Sequence, residues 1–276
     1  KYGFPKPNQP IPTLGEVYKR LKNRPGQSWQ MTEDNKFALL GDPSMEIAFP
    51  KNFVSIDSIN GQSASVFNDT VKAFSVVKLS GHITERLKTI MTNFNGTLDV
   101  EVYDKPTQKY TLNNNKVSYQ IPFKSETSIL YKGSVSVVAG KFTLVFSVPK
   151  DIAYNIGKGR AVFYAQNGET DASGSWVFNI GGSEKIIEVD SVGPQVKLFV
   201  NDSMFINNSK VSAESKAYAR IYDKSGINAT GAGIGRDLEI ILDEGSENAK
   251  SFVVNNFFTY ENNSYQLGYI DFLLPL

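Results

Sequence analysis

The sequence predicts a mainly β protein with two β-sandwich domains, preceded by a short segment that contains both a helix and strands. Three observations support this prediction. Apolar and polar residues alternate in short runs from about residue 51 to the C-terminus. Gly, Asn, Asp and Pro separate these runs at roughly 10 to 20 residue intervals, which is typical of sandwich strands and their turns. The helical period appears in only one segment, close to the N-terminus.

The helix is predicted over Thr13 to Asn23. Thr13 can accept a hydrogen bond at the helix N-terminus, and Glu16 follows three residues later, which is the capping-box arrangement. The apolar positions that share one helix face are Leu14, Val17, Tyr18 and Leu21. The helix is therefore amphipathic and is expected to pack on another element.

A strand, a turn and a second strand are predicted after the helix. Phe37 to Leu40 is an apolar run, and Gly41-Asp42-Pro43 is a turn signal. Met45, Ile47 and Phe49 then alternate with smaller or polar neighbours. We expect the segment Thr13 to Pro50 to pack against the first sandwich. The expected contact residues are Leu14, Val17, Leu21, Met45 and Ile47.

The first sandwich is predicted over residues 51–189, with an immunoglobulin-like and a jelly-roll topology both open. Its eight predicted strands are FVSIDSI (53–59), VKAFSVVKLSG (71–81), GTLDVEVYD (96–104), KVSYQI (116–121), SILYKG (128–133), KFTLVFSV (141–148), RAVFYAQ (160–166) and GSWVFNI (174–180).

The second sandwich is predicted over residues 190–276, because the chain loosens at Gly181-Gly182-Ser183 and a new strand begins at Pro194. Its five predicted strands are PQVKLFVND (194–202), SKAYARIYD (215–223), DLEIILD (237–243), SFVVNNFF (251–258) and YQLGYIDFLL (265–274). An immunoglobulin-like sandwich has about seven strands, so we expect the second one to be incomplete.

The composition disfavours several classes of function. Lys and Arg total 29 and Asp and Glu total 28, so the net charge of +1 provides no field to attract nucleic acid. The chain has no Cys, which excludes disulfides, thiolate metal sites and a cysteine nucleophile within it. Its apolar runs are far shorter than the ~20 residues of a membrane-spanning helix.

Side chains with catalytic chemistry are few. His82 is the only histidine, so it cannot belong to a His cluster that binds a transition metal. Asp99 and Glu101 share a strand face and could act as an acid–base pair in a hydrolase, although any solvent-facing strand produces this spacing. We therefore predict no catalytic residue in this chain.

Two loops resemble ligand-binding motifs only loosely. Gly231 to Gly235 is glycine-rich, but a strand-like run follows it, whereas a phosphate loop opens a helix. Asp243, Glu244 and Glu247 could bind calcium, but they lack the spacing of a known calcium loop and are expected to cap a hairpin. We predict no cofactor-binding and no metal-binding residue; calcium is possible but not predicted.

Aromatic and Asn residues offer a glycan-related alternative. Tyr164, Trp176 and Phe178 could form a platform for sugar rings, although alternation places Trp176 and Phe178 together on the face expected to form the core. Glycosylation sequons are frequent because the chain is rich in Asn. They begin at Asn68, Asn95, Asn201, Asn207, Asn228 and Asn262.

Several segments resemble gingipain-like cysteine peptidases. LLGDPSMEIAFPK (39–51), together with the helix segment PTLGEVYKRLKN (12–23), is similar to the end of the peptidase domain in that family. Residues 129–167, 190–202 and 225–243 are similar to the region that follows the peptidase domain in the family's type IX secretion sortases. The resemblance implies that residues 1–50 are the closing piece of a caspase-like α/β domain.

The resemblance also implies a function for the parent protein. Such a sortase is a cell-surface cysteine endopeptidase that removes C-terminal secretion signals and attaches cargo to a surface lipopolysaccharide. Its Cys and His precede the Gly-Asp-Pro turn, so no catalytic residue is carried over to this chain and the chain itself is expected not to be an enzyme.

The expected role of the chain is to support the peptidase domain and to present surfaces to partners at the outer membrane. The expected partners are the upstream peptidase domain, outer-membrane secretion-system proteins and secreted cargo, with no nucleic acid and no direct membrane span. The alternative is a glycan-binding or adhesive β-sandwich module of a secreted protein.

Overall fold

The computed structural model describes residues 12–23, 37–85, 88–114, 116, 119–185, 192–212, 214–231 and 237–275. The protein is mainly β, with several sheets, and it divides into two units, Lys1–Lys51 and Asn52–Leu276. Within the described residues, no helix is long and apolar enough to cross a membrane.

The first unit contains helix α1, Leu14–Lys22, and its capping box is confirmed. The amide of Glu16 donates to Thr13 Oγ1 over 3.2 Å, and the amide of Thr13 donates to Glu16 Oε2 over 3.3 Å. The Leu14 amide, which has no acceptor within the helix, donates to the Met45 carbonyl in the segment that follows the helix. The first turn of the helix is thus satisfied by its cap and by a distant carbonyl.

The Gly-Asp-Pro segment forms the predicted turn, but the strands on either side of it are absent. Asp42 Oδ1 accepts hydrogen bonds from the amide and the hydroxyl of Ser44, and these bonds lower the pKa of Asp42. Residues 37–40 form no strand, and after the turn only an isolated bridge joins Glu46 to Thr13. The prediction of strand, turn and strand is therefore wrong at both strands. The Phe37 carbonyl binds side chains of the helix, and the backbone after the turn binds the helix N-terminus, so neither segment joins a sheet.

The second unit contains seventeen described strands and one short 3₁₀ helix, Asn255–Phe257. The strands up to the end of the first predicted sandwich are β1 Asn52–Ile59, β2 Gln62–Ser63, β3 Thr70–Ala73, β4 Val76–Thr84, β5 Gly96–Tyr103, β6 Thr107–Tyr110, β7 Pro122–Ser125, β8 Ile129–Val137, β9 Lys141–Ser147, β10 Gly157–Gln166 and β11 Asp171–Ser183. The later strands are β12 Gln195–Val200, β13 Lys216–Tyr222, β14 Glu239–Leu242, β15 Lys250–Val253, β16 Phe258–Tyr260 and β17 Leu267–Leu273.

The largest sheet has nine strands in the order β8-β5-β10-β11-β1-β4-β9, with β2 paired to β1 and β3 paired to β11. β8 and β9 lie at opposite ends of this order although they are consecutive in the chain. A tight turn joins them, with Ala139 at φ 49° and Gly140 at φ 74°, and the amides and carbonyls of Val138 and Lys141 exchange both hydrogen bonds. The sheet must therefore curl until its two ends meet.

The curled sheet encloses the main core. Its inward residues alternate with outward ones along each strand, as the sequence pattern predicts. Fully buried core residues contributed by five different strands are Leu79, Val100, Leu144, Phe163 and Ile180. The core is thus built across strands that are far apart in sequence.

The predicted strand over residues 71–81 is two strands. Phe74 has φ 65°, and its amide leaves the ladder to bind the Val148 carbonyl over 3.0 Å. As a result β3 pairs with β11, whereas β4 pairs with β1 and β9. Apolar alternation continues through this break, so the pattern alone does not reveal it.

The remaining strands form one four-stranded sheet and two separate hairpins. The sheet has the order β12-β13-β17-β16, and the hairpins are β6–β7 and β14–β15. The predicted strand over residues 116–121 is wrong where it is described, because pairing of β7 begins at Pro122; residues 117 and 118 lie outside the described residues. The predicted domain boundary at residues 189 and 190 also lies outside them.

Candidate functional site

His82 lies on β4 and pairs with a carboxylate. Its Nδ1 is 2.7 Å from Asp57 Oδ1, and Asp57 stands at the irregular point between Ile56 and Ser58 where β1 changes register against β4. A carboxylate beside Nδ1 orients an imidazole, but the chain has no cysteine for this imidazole to activate. The pair therefore ties the bulge of β1 to β4.

Asp99 and Glu101 lie on the outer face of β5, as their spacing predicts. Burial raises the pKa of Asp99, which lies opposite Tyr164 of β10 in the register. Glu101 Oε2 accepts a short hydrogen bond from the Tyr103 hydroxyl, and burial followed by this bond raises the pKa of Tyr103 to about 12. Each carboxylate thus has a tyrosine neighbour on an open strand face.

Of the two loops with ligand-like composition, the glycine-rich loop precedes the hairpin β14–β15 and the acidic loop is the turn of that hairpin. Residues 232–236 of the glycine-rich loop lie outside the described residues, and strand β14 follows the loop, whereas a phosphate loop is followed by a helix. Asp243 and Glu244 lie in the turn between β14 and β15, with Asp243 at φ 53°. The structure thus places the acidic residues at the end of a hairpin. Among the described residues no group of acidic or His side chains could hold a metal ion.

The aromatic side chains of β10 and β11 do not form one platform. Trp176 stacks on Phe178 with ring centroids 4.7 Å apart, and Phe67 lies 6.2 Å from it on another side. In the uninterrupted register of β10 and β11, Trp176 pairs with Ala161 and Tyr164 pairs with Ser173. Because directly paired residues share a face, Tyr164 and Trp176 lie on opposite faces of the sheet. This packing does not favour the glycan-binding alternative.

The best-defined contact among the described residues joins the nine-stranded sheet to the four-stranded sheet. The rings of Tyr131 on β8 and Tyr260 on β16 stack with centroids 4.9 Å apart and planes 11° apart. The Tyr131 hydroxyl donates to the Ser264 carbonyl over 3.2 Å, and the Tyr260 hydroxyl donates to the Ile227 carbonyl over 2.5 Å. Two buried aromatic rings and their hydroxyls therefore bind the two sheets together.

Both tyrosines have pKa values that burial shifts away from the ordinary value of a phenol. Burial raises the pKa of Tyr131 and, as the largest of several causes, the pKa of Tyr260. Gly133 makes the stack possible, because a Cβ there would lie 2.7 Å from the Tyr131 hydroxyl and 2.9 Å from Tyr260 Cβ. These phenols are thus held as neutral hydrogen-bonding groups within the contact.

An Asn-rich turn covers the edge of β8 beside the stack. The amide of Asn263 donates to the Ser134 carbonyl over 2.8 Å, and the Ser136 amide donates to Asn263 Oδ1 over 2.9 Å. Asn262 Nδ2 donates to Ser136 Oγ over 3.1 Å. The turn takes the place of a further strand at an edge that would otherwise expose unpaired backbone groups.

In the sequence, Asn262-Asn263-Ser264 is recognisable only as a sequon, and no motif distinguishes Tyr131 or Tyr260. Other Asn side chains in sequons also have structural roles. Asn95 Oδ1 accepts a hydrogen bond from the Ala139 amide over 2.9 Å. The signal that could identify these residues is a run of turn-forming Asn beside an alternating strand, but that signal does not specify the partner strand.

A small cavity lies at the same contact. It has a volume of about 20 Å³, and its walls include Leu130, Lys132, Asn255 and Phe258. A cavity of this size holds about one water molecule, whereas ligand pockets measure about 300 to 1,000 Å³. The cavity between the sheets is therefore too small for a substrate.

Comparison with known proteins shows a similarity to a solved structure. No protein-family model and no curated protein sequence matches the chain. The chain is similar to the crystal structure of dimeric latent PorU from Porphyromonas gingivalis, with 28% sequence identity and a TM-score of 0.53. The match covers 96% of this chain and 25% of the PorU chain, so this chain spans about a quarter of that protein's length. The similarity is to a PorU-related region.

Proposed function

We propose that this chain is the non-catalytic β-rich region of a PorU-like cell-surface sortase. Such a sortase is a cysteine endopeptidase that removes C-terminal secretion signals and attaches cargo to a surface lipopolysaccharide. The observation that carries the proposal is the similarity to PorU, which extends over 96% of this chain at 28% identity. The proposed role is to support the peptidase domain and to present surfaces to partners.

The chemistry of the chain supports a role without catalysis. A cysteine peptidase needs a thiolate and a base within hydrogen-bond reach of it, and this chain contains no Cys. Its single histidine binds Asp57 on the curled sheet. The Cys and His of the sortase would therefore belong to an upstream domain.

The structure of the second unit supports a role as a rigid support. The Tyr131–Tyr260 stack and the Asn263 turn connect the two sheets through buried rings and through hydrogen bonds from the backbone and side chain of Asn263. Such contacts resist relative movement better than a flexible linker does. Loops and strand edges on a rigid unit can hold partner surfaces in a constant position.

The finer domain assignments are part of the proposal. Residues 1–50 would close a caspase-like α/β domain, whereas 51–189 and 190–276 would be immunoglobulin-like or jelly-roll sandwiches. In support, the carbonyl of Pro43 accepts a hydrogen bond from the Gly15 amide over 2.9 Å, which joins the helix to the turn segment. The proposed partners are the upstream peptidase domain, outer-membrane secretion-system proteins and secreted cargo at the cell surface.

A peptidase assay tests the proposal. The substrate is a peptide that carries a C-terminal secretion signal, and the proteins are the 276-residue chain alone and the same chain joined to its upstream peptidase domain. We expect cleavage only by the joined protein. We also expect His82→Ala in the joined protein to leave kcat unchanged, because His82 has a structural partner. Cleavage by the chain alone, or loss of kcat in a folded His82→Ala protein, would overturn the proposal.

A further inference from the structure

Strand β12 carries apolar side chains on a face of its sheet that stays open. In the register with β13, Val196 lies opposite Ile221 and Leu198 lies opposite Ala219, so these four side chains share one face. Ile221 and Ala219 are buried in the core, with only 3% and 4% of their surface exposed. Val196 is exposed by 59% and Leu198 by 60%. The apolar core face therefore continues onto β12, where the described residues leave it largely uncovered.

The backbone of β12 is open at the same two residues. β12 is the end strand of its sheet, and β13 is its partner strand among the described residues. The Asn201 amide donates to the Lys216 carbonyl over 2.8 Å, and hydrogen-bonded pairs alternate along an antiparallel ladder. Phe199 therefore bonds to β13, whereas the amides and carbonyls of Val196 and Leu198 point to the free edge.

Lys197 lies between these two residues, and its side chain is on the other face of the strand. It is exposed, and in the described part of the chain no carboxylate lies within ion-pair distance of it. Its neighbour across the ladder is Arg220, which already pairs with Glu261 over 2.8 Å. A strand that adds to β12 therefore meets an unpaired positive charge on this face.

These features specify which strand fits the free edge. Apolar side chains on one face cover Val196 and Leu198, and an acidic side chain on the other face lies opposite Lys197. A second copy of β12 fits poorly, because the antiparallel register that covers both apolar residues places one Lys197 opposite the other. The edge is therefore suited to a different segment, one in which apolar and acidic residues alternate.

We propose that β12 binds an extended segment of a partner protein in which apolar and acidic residues alternate, and that this segment adds a strand to the four-stranded sheet. Main-chain hydrogen bonds to Val196 and Leu198 provide affinity, and the alternating side chains provide selectivity. The site names one partner surface of the proposed function and rests on that function for its biological role. Binding is measured on this chain alone, so a negative result leaves the outcome of the peptidase assay unaffected.

Isothermal titration of the 276-residue chain with synthetic peptides tests the proposal. The probe has about eight residues, in which Val and Glu alternate. One control peptide has Lys in place of every Glu, and the other groups the same residues into a Val block and a Glu block. We expect the alternating acidic peptide to bind at least about fivefold more tightly than either control, because only this peptide matches the backbone edge, the apolar face and the lysine together.

Hydrogen exchange locates the bound peptide. The amides of Val196 and Leu198 should exchange at least about tenfold more slowly when the peptide is bound, because they then donate to peptide carbonyls. Exchange of the Phe199 amide should change less, since this amide already bonds to β13 in the free chain.

Two variants test the contact at β12. Lys197→Glu should weaken binding of the acidic peptide by at least about fivefold and strengthen binding of the Lys peptide, because the charge opposite the peptide is reversed. Leu198→Pro should abolish binding and preserve the fold, since it removes an amide that faces the free edge. Lys150→Glu makes the same change of charge at an exposed position outside this sheet and should bind like the unchanged chain. Thermal unfolding verifies that each variant folds.

Four results would overturn the proposal. The first is a chain that binds none of the peptides at about 1 mM peptide. The second is binding without slower exchange at Val196 and Leu198, which places the peptide elsewhere. The third is a folded Lys197→Glu variant that binds the acidic peptide as tightly as the unchanged chain. The fourth is slower exchange of the two amides at high protein concentration without peptide, which assigns the edge to a second copy.

Discussion

At the scale of single residues, the absence of a side chain at position 81 determines how three strands pack. Gly81 lies on β4 between β1 and β9, opposite Ile56 and Phe142 in the two registers. A Cβ at this position would overlap the Ser55 carbonyl oxygen and would lie 2.5 Å from Phe142 Cζ. The backbone oxygen cannot move without shifting β1, so only glycine fits.

We expect Gly81→Ala to lower the free energy of unfolding by about 1 to 3 kcal/mol, because overpacking forces the surrounding strands apart. Urea unfolding followed by circular dichroism measures the change. Gly193→Ala is the matched control, because no atom lies within 4 Å of a Cβ there. Equal stability of the two variants would show that β1 and β9 yield to the added methyl group.

At the scale of elements, hydrogen bonds at strand and helix ends determine which segments bind each other. The α1 N-terminus takes carbonyls from the turn segment, and the edge of β8 takes an Asn side chain. In both places a backbone group without a regular partner is satisfied by a loop. These bonds are therefore suitable points at which to test the fold.

We expect Thr13→Ala to destabilise helix α1 by about 1 kcal/mol, because the Glu16 amide loses its cap acceptor. Hydrogen exchange of the amides from Leu14 to Lys22 measures the effect locally. Thr89→Ala is the control, since no hydrogen bond of the Thr89 side chain is present among the described residues. Unchanged exchange in the helix would mean that the capping box does not contribute.

We expect Asn263→Ala to expose the edge of β8 and to cost about 1 to 2 kcal/mol, because the Ser136 amide loses its acceptor. Amide exchange at Ser136 should become faster. Asn263→Asp keeps an acceptor oxygen and tolerates the left-handed backbone at φ 61°, so its effect should be smaller. Equal exchange rates at Ser136 in both variants would contradict this account.

At the scale of the whole molecule, the contact between the two sheets makes stability depend on pH. The buried phenols of Tyr131 and Tyr260 have pKa values raised by burial, whereas an unfolded tyrosine has a pKa of about 10. As pH rises, the unfolded chain loses these protons first. The stabilisation from both tyrosines is therefore complete below about pH 10 and decreases as pH rises above it towards the folded pKa values.

We expect the free energy of unfolding to fall above about pH 10 by up to about 1.4 kcal/mol per pH unit for each buried tyrosine. Tyr260→Phe should give a shallower slope, because one titrating group is removed. Urea unfolding between about pH 9 and about pH 11.5 measures the slope. The exposed Tyr154→Phe is the control and should keep the slope of the unchanged chain. Equal slopes in Tyr260→Phe and the unchanged chain would contradict the role of burial.

The sequence predicts those features of the fold that depend on residues close together in the chain. The capped helix at Leu14–Lys22 and most strand positions are confirmed, because capping and alternation involve residues within a few positions of each other. The break at Phe74 could not be predicted, because the distant Val148 carbonyl binds its amide. The missing strand at 37–40 could not be predicted either, because the Phe37 carbonyl binds side chains of helix α1 and not a neighbouring strand. The Tyr131–Tyr260 contact joins residues far apart in the chain, so local sequence signals do not predict it either.

The sequence by itself determined the mainly β class, the capped helix and the absence of a cysteine nucleophile, since composition and short periods suffice for each. Only the tertiary structure decided that the sheet curls, that Asn52 on β1 lies beside Ala172 on β11, and that Tyr131 stacks on Tyr260. These pairs are separated by more than a hundred positions in the chain. Alternation specifies which face of a strand is apolar, but it carries no information about which strand covers that face.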